Sequence, residues 1–371
     1  MRQALGDLRI VDFSRVLAGP LATMVLGDFG ASVTKIERSL SGDDTRAWGP
    51  PYDADGVATY FQSVNRNKHS VALDLRDAGD VERARELVAS ADVLVENFRP
   101  GLMDSVGLGY EQMHAAHPAL VYCSITGFGS ASAEAAALPG YDLLVQALGG
   151  LMSITGSAGG EPQKVGVALV DVICGLFASV GILAALRHRE RSGEGQHVEV
   201  NLLSSLLAAL VNQGSAYTLA GVVAERMGNE HPSVAPYELL ATATGELVLA
   251  VGTERQFEAL ARVLGAPQLA ADARFASNAA RVANRGALRE QLQALLASAP
   301  AADWVRALTA ARVPAGEVND IAGAFALAEQ LGLDPIVELA GADGRVTRLT
   351  RNPIALSATP ASYRCPPPPL P

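Results

Sequence analysis

The stretch Gly140–Gly156, GYDLLVQALGGLMSITG, holds one charged residue, Asp142, followed by an apolar run that two glycines, Gly149 and Gly150, close. A carboxylate shielded from water is a better nucleophile than a solvated one. A plainer role is open to it as well. An Asp at the head of a short helix over 143–148 accepts the free N–H groups of the first turn, with Gly149 as the stop. The two roles are compatible, because those N–H groups and the helix dipole favour the ionised form. From these residues alone both readings stand.

The elements that must position Asp142 follow from periodicity. Leu8–Ser14 alternates as a strand, Gly19-Pro20 opens a helix that Gly30 ends, and Ser32–Glu37 is the next strand. That βαβ unit predicts a parallel sheet. The alternation continues through Val71–Leu75, a helix over Val81–Ser90, and strands over Asp92–Asn97, Ala119–Gly127 and Gln196–Leu202. The fold class is therefore α/β, with a Rossmann-like large domain. Its first turn lacks GxGxxG, so no dinucleotide cofactor is expected. Val165–Leu186 is long enough to span a membrane, but it carries Asp171 and three glycines. A carboxylate inside a span costs about 3 kcal/mol, so a buried core or interface helix is expected and no membrane partner. Leu203–Gly221 reads as a second apolar helix. The loop GNEHPSVAPYE (Gly228–Glu238) marks a boundary. Beyond it a hairpin turning at Thr244-Gly245 and helices around Glu254–Leu264, Arg281–Ser298 and Ala302–Arg312 predict a smaller α/β domain. Gly344–Leu356 looks like a late strand pair, and the proline-rich tail like a surface wrap.

Composition excludes other classes. The chain has 371 residues, 49% hydrophobic and 18% charged, with a net charge of −10. That is a globular balance and argues against nucleic acid as a partner. Cys123, Cys174 and Cys365 form no CxxC pair and no metal-ligand spacing. No basic segment followed by an apolar stretch opens the chain, so a reduced, cytoplasmic protein is expected.

Six stretches in order resemble the class III CoA-transferases, the family of formyl-CoA and carnitine CoA-transferases. They are RIVDFSRVLAGPLATMVLGDFGASVTKIER, GDDTRAWGPPY, FQSVNRNKHSVALDL, DVLVENFRPG, GYDLLVQALGGLMSITG and GNEHPSVAPY. The first 150 residues look most like the succinyl-CoA:glutarate type. The resemblance implies a large domain over 1–210 to which 335–371 returns, a linker over 211–234, and a small domain over 235–334. It implies a homodimer of interlocked subunits, which would cover the two apolar helices. It implies that Asp142 is the nucleophile, passing through an aspartyl–acyl anhydride and an aspartyl-CoA thioester, with no cofactor beyond CoA and acyl-CoA as substrates. By matching motifs, Arg15, Val16, Ala18, Arg38, Leu73, Arg76, Asn97 and Phe98 would bind CoA. Trp48 and Tyr60 would line the acyl pocket, and the N–H groups near Gly149 and Gly150 would face the developing oxyanion. The expected substrates are an acyl-CoA such as succinyl-CoA and a small, dicarboxylic acid.

Two departures bear on this. The Gly-Gln-x-Gly-Pro segment of many members is replaced by the Ala- and Ser-rich GFGSASAEAAALPGYD, and a four-glycine lid of the formyl-CoA branch is absent. A related racemase would need a His before the Asp, paired with a second Asp. Asp171 is present, but Tyr141 holds the His position, and a tyrosine is a poor base at neutral pH. A non-catalytic acyl-CoA-binding protein of the same fold is the other alternative.

Overall fold

The computed structural model describes residues 3–54, 56–342 and 344–371. Two compact units divide the chain. The first comprises 1–152, 164–223 and 334–371, and the second 153–163 and 224–333.

The first unit is built on six parallel strands: β1 (Arg9–Asp12), β2 (Ser32–Glu37), β3 (Lys68–Ala72), β4 (Val93–Glu96), β5 (Val121–Thr126) and β6 (His197–Asn201). Their order is β3-β2-β1-β4-β5-β6, so the direction of winding reverses between β1 and β4. In such sheets the crevice at the carboxyl ends beside the reversal is where ligands bind. Period-2 alternation sends neighbouring residues to opposite faces, and here both faces are buried. Val93, Val95, Val121 and Cys123 pack with Ala22 and Leu26 of helix Ala18–Asp28 and with Ala178 and Ile182 of helix Leu169–Ser192. Leu94 and Tyr122 pack on the other side with Val88, Met103 and Met113. This two-sided burial is why the strands read as apolar runs.

A buried polar lattice holds the end of β1. Asp12 accepts from Thr23 Oγ1 at 2.6 Å and Lys68 Nζ at 3.1 Å, while Lys35 Nζ donates to Asp43 at 2.9 Å and to Ser14 O at 2.8 Å. Burial pushes the Asp12 carboxyl up, but Lys68 and Lys35 outweigh it and hold the group below its usual range. Lys68 being an inward strand residue also explains why β3 begins three residues before Val71. The sequence pattern hid a strand whose first inward side chain is charged.

The tail belongs to this unit. Asp28 accepts from Arg66, Asn67 and Asn352, and Arg364 donates to Gly27, Gly30 and Ala31 carbonyls. A two-stranded ribbon, β10 (Ile336–Ala340) and β11 (Val346–Thr350), precedes it. Only one strand of the expected late pair thus lies in 344–356.

The second unit carries β7 (Tyr237–Ala241), β8 (Glu246–Ala250) and β9 (Ala315–Glu317) in one antiparallel sheet. The hairpin turns at Thr244-Gly245 as expected. Leu240, Leu247 and Leu249 pack against Phe257, Leu260, Leu288 and Leu308 of its helices.

Several boundaries differ from the sequence reading. The long apolar helix runs over Leu169–Ser192 rather than 165–186, taking in Arg189 and Arg191, whose charges suit a helix C-terminus. The segment 203–221 is two helices, Leu202–Ala209 and Val211–Ala220, broken where Val211 takes a φ of 42°. Residues 211–223, read as linker, therefore belong to the first unit, with 211–220 as helix. Residues 153–163 belong to the second, tied by Gly228 N to Gly156 O and Arg226 Nε to Gly160 O. The Arg281–Ser298 helix is likewise two, Asn278–Ala283 and Arg285–Leu296.

Candidate active site

Asp142 opens helix Asp142–Leu148, but Tyr141, not Asp142, occupies the cap position. The expected cap role is corrected in an instructive way. The Asp142 carboxylate caps a different helix: Oδ1 accepts from the backbone N–H groups of Val170 at 2.8 Å and Asp171 at 3.2 Å, in the first turn of Leu169–Ser192. Oδ2 accepts from Gln146 Nε2 at 2.6 Å. Gln146 is fully buried, and its Oε1 accepts from Val165 N at 2.9 Å. That second bond dictates which end of the amide faces Asp142. Gln146 was missed in the sequence, although its i+4 spacing puts it on the face of Asp142.

The carboxylate stands on the wall of a cavity of about 850 Å³. Trp48 and Tyr60 line it with their rings edge to face at 5.5 Å. Asp171 lines it too. Burial first, and then the charge of Asp142, push the Asp171 carboxyl up to about 7. Two cations on this wall escaped the sequence reading, Arg99 and Lys164. Neither sits in a periodic pattern, so only the fold could bring them here.

Arg15, Asn97 and Phe98 follow β1 and β4, at the reversal of the sheet. Arg15 N donates to Asn97 Oδ1 at 2.8 Å, and Asn97 Nδ2 returns a bond to Arg15 O at 2.7 Å. The guanidinium lies 4.7 Å from the centre of the Phe98 ring. Val16 takes a φ of 69°, unfavourable for a β-branched residue, with its N–H turned to the Asp43 carboxylate. A second cavity, about 470 Å³, is lined by Arg38, Leu73 and Arg76 and shares Arg15 and Phe98 with the first. The two thus meet at one cation–aromatic pair. Arg38 is paired with Asp44 and Arg76 with Asp74.

Three expected site residues line neither of these two cavities. Ala18 lines a third, of about 110 Å³, together with Asn97, Phe98, Arg99, Gly140 and Asp171, all of which also line the first. Ala18 is buried against the long helix, where a Cβ on Gly175 would come 2.5 Å from Ala18 O. Gly149 and Gly150 sit at the far end of helix Asp142–Leu148 and line neither cavity. The Gly149 N–H is engaged by Val145 O at 2.8 Å, and a Cβ there would meet Leu206 Cδ2 at 2.4 Å. Gly149 is required for helix packing. The backbone donors that reach the Asp142 carboxylate are those of Val170 and Asp171.

A family model described as CoA-transferase family III matches residues 5–370. The chain is 42% identical over 371 residues to the succinate–glutarate CoA-transferase of Agrobacterium fabrum, covering 99% of this chain and 92% of that one. It is 41% identical over 335 residues to the succinyl-CoA:glutarate CoA-transferase of Mus musculus, covering 90% and 76%. The crystal structure of a CAIB/BAIF family protein from Brucella suis superimposes with a TM-score of 0.87 at 40% identity, over 100% of this chain and 97% of that one.

Proposed function

The chain belongs to CoA-transferase family III, and from that premise we propose that it moves CoA from succinyl-CoA or a similar acyl-CoA to a small dicarboxylic acid, with Asp142 as the nucleophile. The observation that carries this reading is the Asp142 carboxylate, fixed by three N–H donors on the wall of a cavity that continues, past Arg15 and Phe98, into one lined by Arg38, Leu73 and Arg76. The long arm and nucleotide of CoA would follow that path, and the thioester would reach Asp142. Two relatives named for succinate or succinyl-CoA and glutarate support the dicarboxylic choice. So do Arg99 and Lys164 on the cavity wall, cations suited to the distal carboxylate of such an acid.

The two oxygens of Asp142 have different parts in this reading. Oδ2 has one donor and keeps a lone pair for attack on the thioester. The C–S bond breaks, thiolate leaves, and an anhydride remains. Oδ1 becomes the carbonyl oxygen of the aspartyl group. When thiolate attacks that carbonyl, negative charge develops on Oδ1, between the Val170 and Asp171 N–H groups at a helix N-terminus. The acid released in that step gives way to the acceptor acid, which reverses the sequence. One thioester replaces another, so the reaction calls on no metal or nucleotide triphosphate. The exposed apolar side chains Phe177, Val180 and Leu183 on the long helix, with Leu207, Val211 and Leu219 beyond it, support a homodimer that covers them. The test is exchange of CoA from succinyl-CoA onto a panel of mono- and dicarboxylic acids. Transfer to dicarboxylic acids, abolished in Asp142→Ala, is expected. Undiminished transfer by that variant would refute the nucleophile, and a preference for monocarboxylic acids would refute the substrate class.

A further inference from the structure

Asp171 is a carboxyl group of the cavity, beside Asp142, to which the transfer described above gives no task. It is the third residue of helix Leu169–Ser192, and its own N–H touches Asp142 Oδ1. Its side chain faces the same cavity. Among the described residues no donor or cation engages its carboxyl oxygens, and its surroundings act on it only through burial and the charge of Asp142. Other groups face it at longer range. Tyr60 stands across the cavity, its hydroxyl pushed up by burial and then by Asp171 and Asp142. Cys174, one turn along the helix, is pushed up to about 12 by burial. Arg15, Asp44, Arg99, Tyr141 and Lys164 complete the ionisable wall. Burial and the negative charge of Asp142 both favour the protonated form of the Asp171 carboxyl, whereas three N–H donors hold the Asp142 carboxylate.

We propose that Asp171 is the proton store of the transfer: it keeps a proton while Asp142 is a free carboxylate, gives it to the CoA sulfur once Asp142 is acylated, and takes it back when that sulfur attacks. The idea rests on Asp142 being the nucleophile. In the first step the Asp142 Oδ2–carbon bond forms, the carbon–sulfur bond breaks, and sulfur leaves with the electron pair. The charge on Asp142 disappears in that step, and with it one of the two reasons for Asp171 to hold its proton. A thiol binds a proton far more tightly than an ordinary carboxylic acid, about 8.5 against about 3.9, so the proton moves from Asp171 to sulfur. One negative charge is present throughout, first on Asp142, briefly on sulfur, then on Asp171. When sulfur attacks the aspartyl or acyl carbonyl, its proton returns to Asp171 and the electron pair ends on the carboxylate that is released. No other reactant is needed. The gain is that free thiolate does not have to persist between the two steps.

The test uses the full chain and its Asp171→Asn variant, with exchange from succinyl-CoA followed between about pH 6 and 9. In the wild type, kcat/KM should fall as pH rises through about 7, because the store must begin protonated. Asparagine is nearly the same shape and cannot release a proton. Its variant should bind CoA normally, lose roughly 100-fold in kcat, and show no fall near that pH. Wild-type kcat in the variant, or the same fall with pH, would overturn the proposal. A wild-type profile flat across the range would overturn it as well, whether or not the variant folds. Failure of the underlying reading looks different: no covalent adduct then forms on Asp142, whereas an adduct with full-speed Asp171→Asn turnover sinks the proton store alone.

Discussion

Asp142 binds three donors with two oxygens, and the asymmetry has consequences that single substitutions can reach. Gln146 supplies the only side-chain donor to it that the structure contains among the described residues, and it also satisfies Val165 N. Gln146→Leu keeps the volume and removes both bonds. A hydrogen bond to a charged group contributes about 1.5–3 kcal/mol, so kcat should fall by tenfold or more, as steady-state rates would reveal, while KM for acyl-CoA barely moves. Equal kcat would mean that the backbone donors alone orient the carboxylate. Asp171 gives a pH-dependent prediction separate from activity. Its carboxyl is raised to about 7 in the fold against about 3.9 in an unfolded chain, so the native state binds the extra proton. Stability is then lost as pH rises through about 7, and none is lost where both states are protonated. Asp171→Asn should raise the thermal midpoint at pH 8 and leave it nearly unchanged near pH 4; a shift of the same size at both would contradict the assignment. Tyr141 is exposed and lines the cavity at the position where a racemase of this fold would need a histidine. The protein should therefore not exchange the α-proton of a 2-methylacyl-CoA in deuterated water. Steady uptake seen by NMR would favour the racemase reading.

At the scale of elements, helix Asp142–Leu148 works from both ends. Its start carries Asp142, and its end must pass close to helix Leu202–Ala209. Gly149 allows that approach, since a Cβ would fall 2.4 Å from Leu206 Cδ2 and 2.8 Å from Val145 O. Gly149→Ala should cost about 1–3 kcal/mol, read by denaturant melting, yet leave the rate per folded molecule unchanged. A large loss of rate at full stability would restore the oxyanion role that the sequence suggested. That pair of glycines illustrates where sequence reading stops. β1, β2, β4, β5 and β6 were legible from alternation and apolar runs, and so was the hairpin at Thr244-Gly245. Asp142 was legible because an isolated carboxylate in an apolar stretch is unusual. Its partners were not: Val170 and Asp171 contribute backbone N–H groups, which carry no sequence signature, and they lie 28 and 29 residues away. Lys164 and Arg99 were invisible because neither sits in a periodic pattern, and β3 was shifted because Lys68 is buried where the pattern expects an apolar residue.

For the whole molecule, the reversal of the sheet between β1 and β4 places the Arg15–Asn97 pair at the crevice, and the loops after β2 and β3 extend it toward Arg38 and Arg76. The helix Leu169–Ser192 joins the two levels of organisation. Its first turn holds Asp142, while farther along it exposes Phe177, Val180 and Leu183. It is long and apolar enough to cross a membrane, yet 44% of its most apolar window is buried within the protein. A partner subunit is the cover we expect for the rest. Light scattering at low micromolar concentration should give a dimer, and a monomer there would contradict it. The measurement that bears most directly on the account is the mass of the peptide containing residue 142 after the protein is mixed with succinyl-CoA and quenched in acid. The account predicts CoA attached through a thioester to Asp142, absent from Asp142→Ala. An unmodified Asp142 in samples that exchange CoA at full rate would contradict it.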